Sequence, residues 1–161
     1  RINRATQMQE KTGRIQQTKA SNIKMGFRFQ WYDEQQTVMH YIAEGDWNWR
    51  DYHACVRASL FSMHRHGSSV DALIDLRASE RDTLPAGLNA HVRTFGKVLT
   101  PALSGRAVVI GMPQAALEQL GVAADRELKT PDGIVRFVDD NAALEAVLQT
   151  WQSDKQDAQS D

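Results

Sequence analysis

Arg77, Ser79, Arg81 and Thr83, followed by Pro85 and Gly87, stand in the stretch RASERDTLPAGL, between the apolar run VDALIDL and the segment NAHVRTFGKVL. Two guanidinium groups and two hydroxyls at the start of a helix can hold an anion or an acidic side chain of a partner, because a helix N-terminus adds free amide donors and a partial positive charge. The same residues also have a purely architectural reading. In it Thr83 caps the helix, Pro85 supplies its first-turn φ, and Gly87 lets helix and sheet approach closely. A second junction of the same kind is IGMPQ, after the run GRAVVIG.

The remaining chemistry-bearing residues are scattered. His64 and His66 flank Arg65 at a spacing of two, where helical side chains point apart, whereas a helical metal pair needs three or four. His53 and His91 stand alone on predicted helices and His40 in a predicted strand. Cys55 falls on an apolar helical stripe and reads as a small buried thiol. Neither a GxxxxGKS/T loop, a GxGxxG fingerprint, a GxSxG elbow nor an HExxH pair occurs, so no metal, cofactor or catalytic set is expected.

The elements that would position the junction alternate in period. GFRFQWY and QTVMHYIAEG are β-rich runs around DEQ and read as a hairpin. NWRDYHACVRASLFSMHRHG places Trp49, Tyr52, Val56, Leu60 and Met63 on one helical face. Asn48 is its cap, Asp51 reciprocates, Trp47 acts as a staple on Tyr52, and Gly67 is the stop. SVDALIDL reads as a strand covered on both faces. From Pro85 a second helix carries Leu84, Leu88, Val92, Phe95 and Leu99 on one side. Strand GRAVVIG, helix PQAALEQL, strand GIVRFV and helix DNAALEAVLQTW follow, the last with Leu144, Val147, Leu148 and Trp151 on one face. Trp31 has no assigned place. The order ββαβαβαβα predicts an α/β fold: a single mixed sheet of about five strands with four helices.

Length and composition bound the rest. A chain of 161 residues, 42% hydrophobic and 24% charged, suits one globular domain with tails. The first 25 residues carry a net charge of +5 within an overall −1, so the body is mildly acidic. Residues 1–25 read as a basic, disordered tail, 26–151 as the domain, and 152–161 as a polar C-terminal tail. No apolar run approaches the roughly 20 residues of a membrane span, and a single cysteine excludes an internal disulfide. The expectation is a cytoplasmic protein without membrane insertion and with no charge signal for nucleic acid.

The element order, VDALIDLRASERDTLPAGLNAHV at the junction, and AVVIG before a short helix together resemble the STAS family, the SpoIIAA-like domain of anti-sigma-factor antagonists and sulfate-transporter tails. The likeness spans residues 27–150 and is similar to an uncharacterised bacterial subgroup with Leu-Pro-Ala-Gly at the junction. It implies a non-enzymatic regulatory module that docks another protein, such as an anti-sigma-factor or kinase-like regulator. The family's phosphorylatable Asp-Ser-Ser-Gly is replaced here by Leu84, Pro85, Ala86 and Gly87, which removes the usual phospho-switch. The alternative is a small-anion or nucleotide sensor at the Arg77–Gly87 helix start. Self-association through the edge of the first hairpin is left open.

Overall fold

The computed structural model describes residues 26–63, 69–80, 84–122 and 125–160. In chain order these form β1 (Phe27–Trp31), β2 (Val38–Gly45), α1 (Trp49–Met63), β3 (Val70–Ser79), α2 (Leu88–Val92), β4 (Leu103–Ile110), α3 (Gln114–Leu120), β5 (Glu127–Lys129), β6 (Ile134–Val138) and α4 (Asn141–Ser160). The strands make one six-stranded sheet in the order β1-β2-β3-β4-β6-β5. Its interior pairs β2–β3, β3–β4 and β4–β6 are parallel, and each edge strand is antiparallel to its neighbour. Among the described residues no helix is long and apolar enough to cross a membrane.

The α/β class and the mixed sheet are as the sequence predicts, with six strands rather than about five. The additional strand is β5, three residues long and paired with β6 around the Thr130–Gly133 turn. Three residues are too few to display a period of two, so ELK carries no legible strand signal.

The opening hairpin forms as expected. Asp33 closes its turn by accepting from the backbone amides of Thr37 and Val38 at 2.9 and 3.0 Å. The α1 start is also legible: Asn48 Oδ1 accepts from the Asp51 amide at 2.9 Å while Asp51 Oδ2 accepts from the Asn48 amide at 3.0 Å, a reciprocal cap. Trp47 packs edge-on against Phe27 and Trp49, and Phe27 in turn meets Tyr52, so the staple is a cluster of four rings. The buried face of α1 is Trp49, Tyr52, Cys55, Ser59 and Met63, with Val56 and Leu60 at its margin. The expected stop at Gly67 lies outside the described residues.

α2 differs most from its sequence reading. It holds five residues instead of starting at Pro85 and running to Leu99. Gly87 occupies the N-cap position at φ 90°, a left-handed conformation that no helix can continue. At the other end Gly96 takes φ 71°, and its absent Cβ would sit 3.1 Å from the Gly105 carbonyl and 3.2 Å from the Ala107 methyl. The close approach to the sheet expected at Gly87 is instead made by the turn after α2, at Gly96. Phe95 remains in the core, whereas Leu99 is exposed.

Strand alternation splits the apolar residues between two faces. Ala72, Ile74 and Leu76 of β3 face one way, with Ala107 and Val109 of β4, under α1, α2 and α3. Trp31 packs at the margin of this larger cluster. Leu73, Val108 and Ile110 face the other way, covered by Leu144, Leu148 and Trp151 of α4, with Val147 beside them. α4 starts on Asp140, whose carboxylate accepts from the Ala143 amide at 2.8 Å. It continues to Ser160, through the segment read from sequence as a polar tail. Lys155 gives that extension a reason, reaching the buried Asp71 at 2.9 Å and the Ser69 carbonyl at 2.9 Å.

Candidate functional site

The junction residues do not converge on one point. Arg77, at the carboxyl end of β3, turns to the α4 side of the sheet. Its Nε donates to Asp75 Oδ1 at 3.0 Å, its Nη2 to Asp75 Oδ2 at 2.8 Å, and its Nη1 to Asn141 Oδ1 at 2.7 Å. Ser79 and Pro85 belong to the other side, where the indole N–H of Trp47 donates to Ser79 Oγ at 2.8 Å and that of Trp49 to the Pro85 carbonyl at 3.2 Å. Gly87 caps α2 through its backbone, with no side-chain cap. Arg81 and Thr83 lie outside the described residues. The second junction packs against the first: a Cβ on Gly111 (φ 87°) would lie 2.9 Å from the Arg77 amide nitrogen, so only glycine fits there.

The sequence treats His40 and Asp75 separately, and the fold joins them beneath α4. His40 Nε2 lies 3.0 Å from Asp75 Oδ2, both residues buried. Burial alone would raise the Asp75 pKa. The hydrogen bonds from His40 and Arg77, with the guanidinium charge, overrule it and hold the carboxyl well below the usual range. The partnership in turn raises Arg77, chiefly through the same side-chain hydrogen bond. With Asp75 ionised, His40 Nε2 is the donor. Tyr32 closes the group, its ring edge-on to His40 at 5.6 Å and its hydroxyl bonded to Glu145 of α4. Burial and the Glu145 carboxylate push the Tyr32 phenol up to about 12.

A second constellation forms on the opposite face, from two histidines that stand alone in sequence. His53 of α1 and His91 of α2 meet with Nε2···Nδ1 at 2.8 Å. His91 stacks on Trp49 with centroids 4.7 Å apart and planes 10° from parallel. A cleft of about 190 Å³ opens beside them, lined by Tyr52, His53, Val56, Arg57, Thr94, Lys97 and Leu99. Burial, then the neighbouring His91, Arg57 and Lys97, lower the His53 pKa. The signal in sequence was faint: His53 and Arg57 are four apart on a helix and share a face, but their nearness to His91 and Lys97 depends on how α2 docks. Among the described residues no three His, Cys, Asp or Glu side chains gather as a metal cluster. Cys55 is buried, and burial pushes its thiol up to about 11, away from nucleophilic use.

Compared with known protein families, curated proteins and solved structures, the chain matches none.

Proposed function

We propose that this chain is a non-enzymatic, STAS-like regulatory module whose docking surface is the β3-to-α2 junction with the exposed side of α2. The supporting observation is how the junction is held. Trp47 and Trp49, both buried, each spend their indole N–H on it, at Ser79 and at the Pro85 carbonyl. Flanks anchored from beneath by rigid aromatic groups, at Ser79 and at Pro85, lose little conformational freedom on binding, which favours recognition. The junction leaves Ala86, Gly87, Asn89, Ala90 and Arg93 exposed. Small side chains admit a close partner surface, and Arg93 suits a partner that presents a carboxylate. The anion-sensor alternative draws less support from Arg77, which commits three of its side-chain N–H groups to Asp75 and Asn141.

The test places a photo-crosslinking residue at Ala90 in cells, purifies the captured protein and titrates it against the chain. Ala90→Glu and Arg93→Glu should each weaken binding by about tenfold or more, and Gln149→Glu on the exposed side of α4 should leave it unchanged. Equal affinities for all three variants would overturn the assignment of the surface.

A further inference from the structure

Where α1 meets α2 and the turn after it, positive charge collects beside His53, with one carboxylate, Asp132, at the margin accepting from the Val98 amide at 2.9 Å. Arg57 projects from α1 and Lys97 from the turn, both exposed, and neither makes an ion pair among the described residues. The charged and titratable groups acting on His53 are His91, Arg57 and Lys97, all cations or potential cations. Of the other surface cations, Arg28 pairs with Glu44, Arg126 with Asp139 and Arg136 with Glu127, whereas Arg50, Arg93 and Lys129 make no ion pair among the described residues.

Arg57 and Lys97 border an apolar cleft. Tyr52, Val56 and Leu99 provide its walls, and Thr94 provides a hydroxyl. The Thr94 and Tyr52 side chains are tied to the backbone and to each other: Thr94 Oγ1 donates to the His91 carbonyl at 2.5 Å and bonds the Tyr52 hydroxyl. The floor is thereby rigid. The cleft's volume of about 190 Å³ lies at the small end of ligand clefts and suits one anionic head with a ring or short chain.

We propose that this cleft binds a small monocarboxylate with an apolar body, its carboxylate held by Arg57, Lys97 and the His53 imidazole and its body resting on Tyr52, Val56 and Leu99. The charge complementarity selects an anion. The apolar walls select a carboxylate carrying hydrocarbon over inorganic phosphate, which would have to leave its hydration shell without polar replacement. The imidazole pair couples binding to protons. In the free protein His53 is held neutral by burial and its cationic neighbours. A carboxylate offsets those cations, so His53 takes a proton from solvent on binding, its Nε2–H donating to His91 Nδ1 and its other ring N–H facing the ligand charge. The cleft adjoins the junction surface through His91, which lies against Gly87 and stacks on Trp49, but none of the residues that line the cleft belongs to the proposed docking surface.

The probes are benzoate and hexanoate, with benzyl alcohol as the neutral isostere and inorganic phosphate as the apolar-free anion, each titrated into the full chain by calorimetry and by NMR of the histidine ring protons. Benzoate and hexanoate should saturate below about 1 mM, with benzyl alcohol and phosphate at least tenfold weaker. Arg57→Gln and Lys97→Gln should each weaken benzoate at least about fivefold with unchanged thermal midpoints. Calorimetry in two buffers of different ionisation enthalpy near pH 7 should show net proton uptake that disappears in His53→Gln. Failure of benzoate and hexanoate to saturate by ~10 mM would overturn the proposal. Equal binding of benzyl alcohol, or benzoate affinity indifferent to Arg57→Gln and Lys97→Gln, would do the same.

Discussion

Among the described residues an imidazole meets charged side chains in two places, and the two are built on opposite rules. Beneath α4, His40, Asp75, Arg77 and Asn141 form a closed set in which the carboxylate faces an imidazole donor and a guanidinium. Between α1 and α2, His53 and His91 share a hydrogen bond, while burial and the neighbouring His91, Arg57 and Lys97 disfavour a proton on His53. A buried ion must be paired, because removal from water costs several kcal/mol per charge, whereas cations at an open cleft leave their compensation to water. The closed set is the mark of a group used by the fold. Uncompensated charge beside apolar walls is the mark of a site that something else can complete. Arg77, which the sequence offers as a ligand-binding cation, belongs to the first kind, and His53, which the sequence passes over, belongs to the second.

The largest effect should come from opening the closed set. Asp75→Ala strands the buried His40 and leaves Arg77 with Asn141 alone, so equilibrium urea unfolding should show a loss of about 2–4 kcal/mol. Arg57→Gln in the cleft should stay within ~0.5 kcal/mol. Comparable losses for the two would erase the distinction. The acid limb of stability should trace to the same carboxylate. Its folded pKa lies below the unfolded value of about 4, so its contribution is present above that value and fades as pH falls further. Unfolding midpoints should therefore decline below pH ~4 in the parent protein and decline less steeply in Asp75→Asn.

A middle-sized effect separates the junction from both clusters. Trp49→Phe keeps much of the ring packing on His91 but deletes the indole donor to the Pro85 carbonyl, so about 1–3 kcal/mol of stability should go with it. The informative readout is local: amide exchange at Ala86 to His91 should accelerate while that of β3 is unchanged. Uniform acceleration across the sheet would mean that Trp49 serves the core and does not hold the junction.

What was legible in the sequence follows the range of the forces involved. The hairpin turn at Asp33, the reciprocal cap of Asn48 and Asp51, and the apolar stripe of α4 are set within a few residues, and the sequence displays them. The shortness of α2 was hidden, because Leu88, Val92 and Phe95 keep helical spacing although Gly87 and Gly96 turn to positive φ at either end. The contact between His40 and Asp75 spans 35 positions and that between His53 and His91 spans 38. Periodicity assigns each histidine an element and cannot say which residue of another element will face it. For the same reason the junction residues, contiguous in sequence, read as one site although the sheet sends Arg77 to one face and ties Ser79 and Pro85 to the other.

The smallest effect tests whether the cations of the cleft act on His53. A histidine whose folded pKa lies below its unfolded value of about 6.5 favours the folded state fully above that value, and the advantage fades as pH falls, since the unfolded chain takes up the proton more readily. His53→Gln removes this dependence while its amide can still bond His91 Nδ1. The stability of parent and variant, compared between pH 7.5 and 5, should therefore diverge, the parent losing more on acidification. Because the ring is half-exposed, the divergence should stay below ~0.5 kcal/mol, so it is best read from paired urea titrations. Saturating benzoate should shrink it, since a bound carboxylate stabilises the protonated ring that the free cleft opposes. Parallel curves without benzoate would show that solvent already screens Arg57 and Lys97 from the imidazole, and the cleft would then resemble the closed set in having no charge left to satisfy.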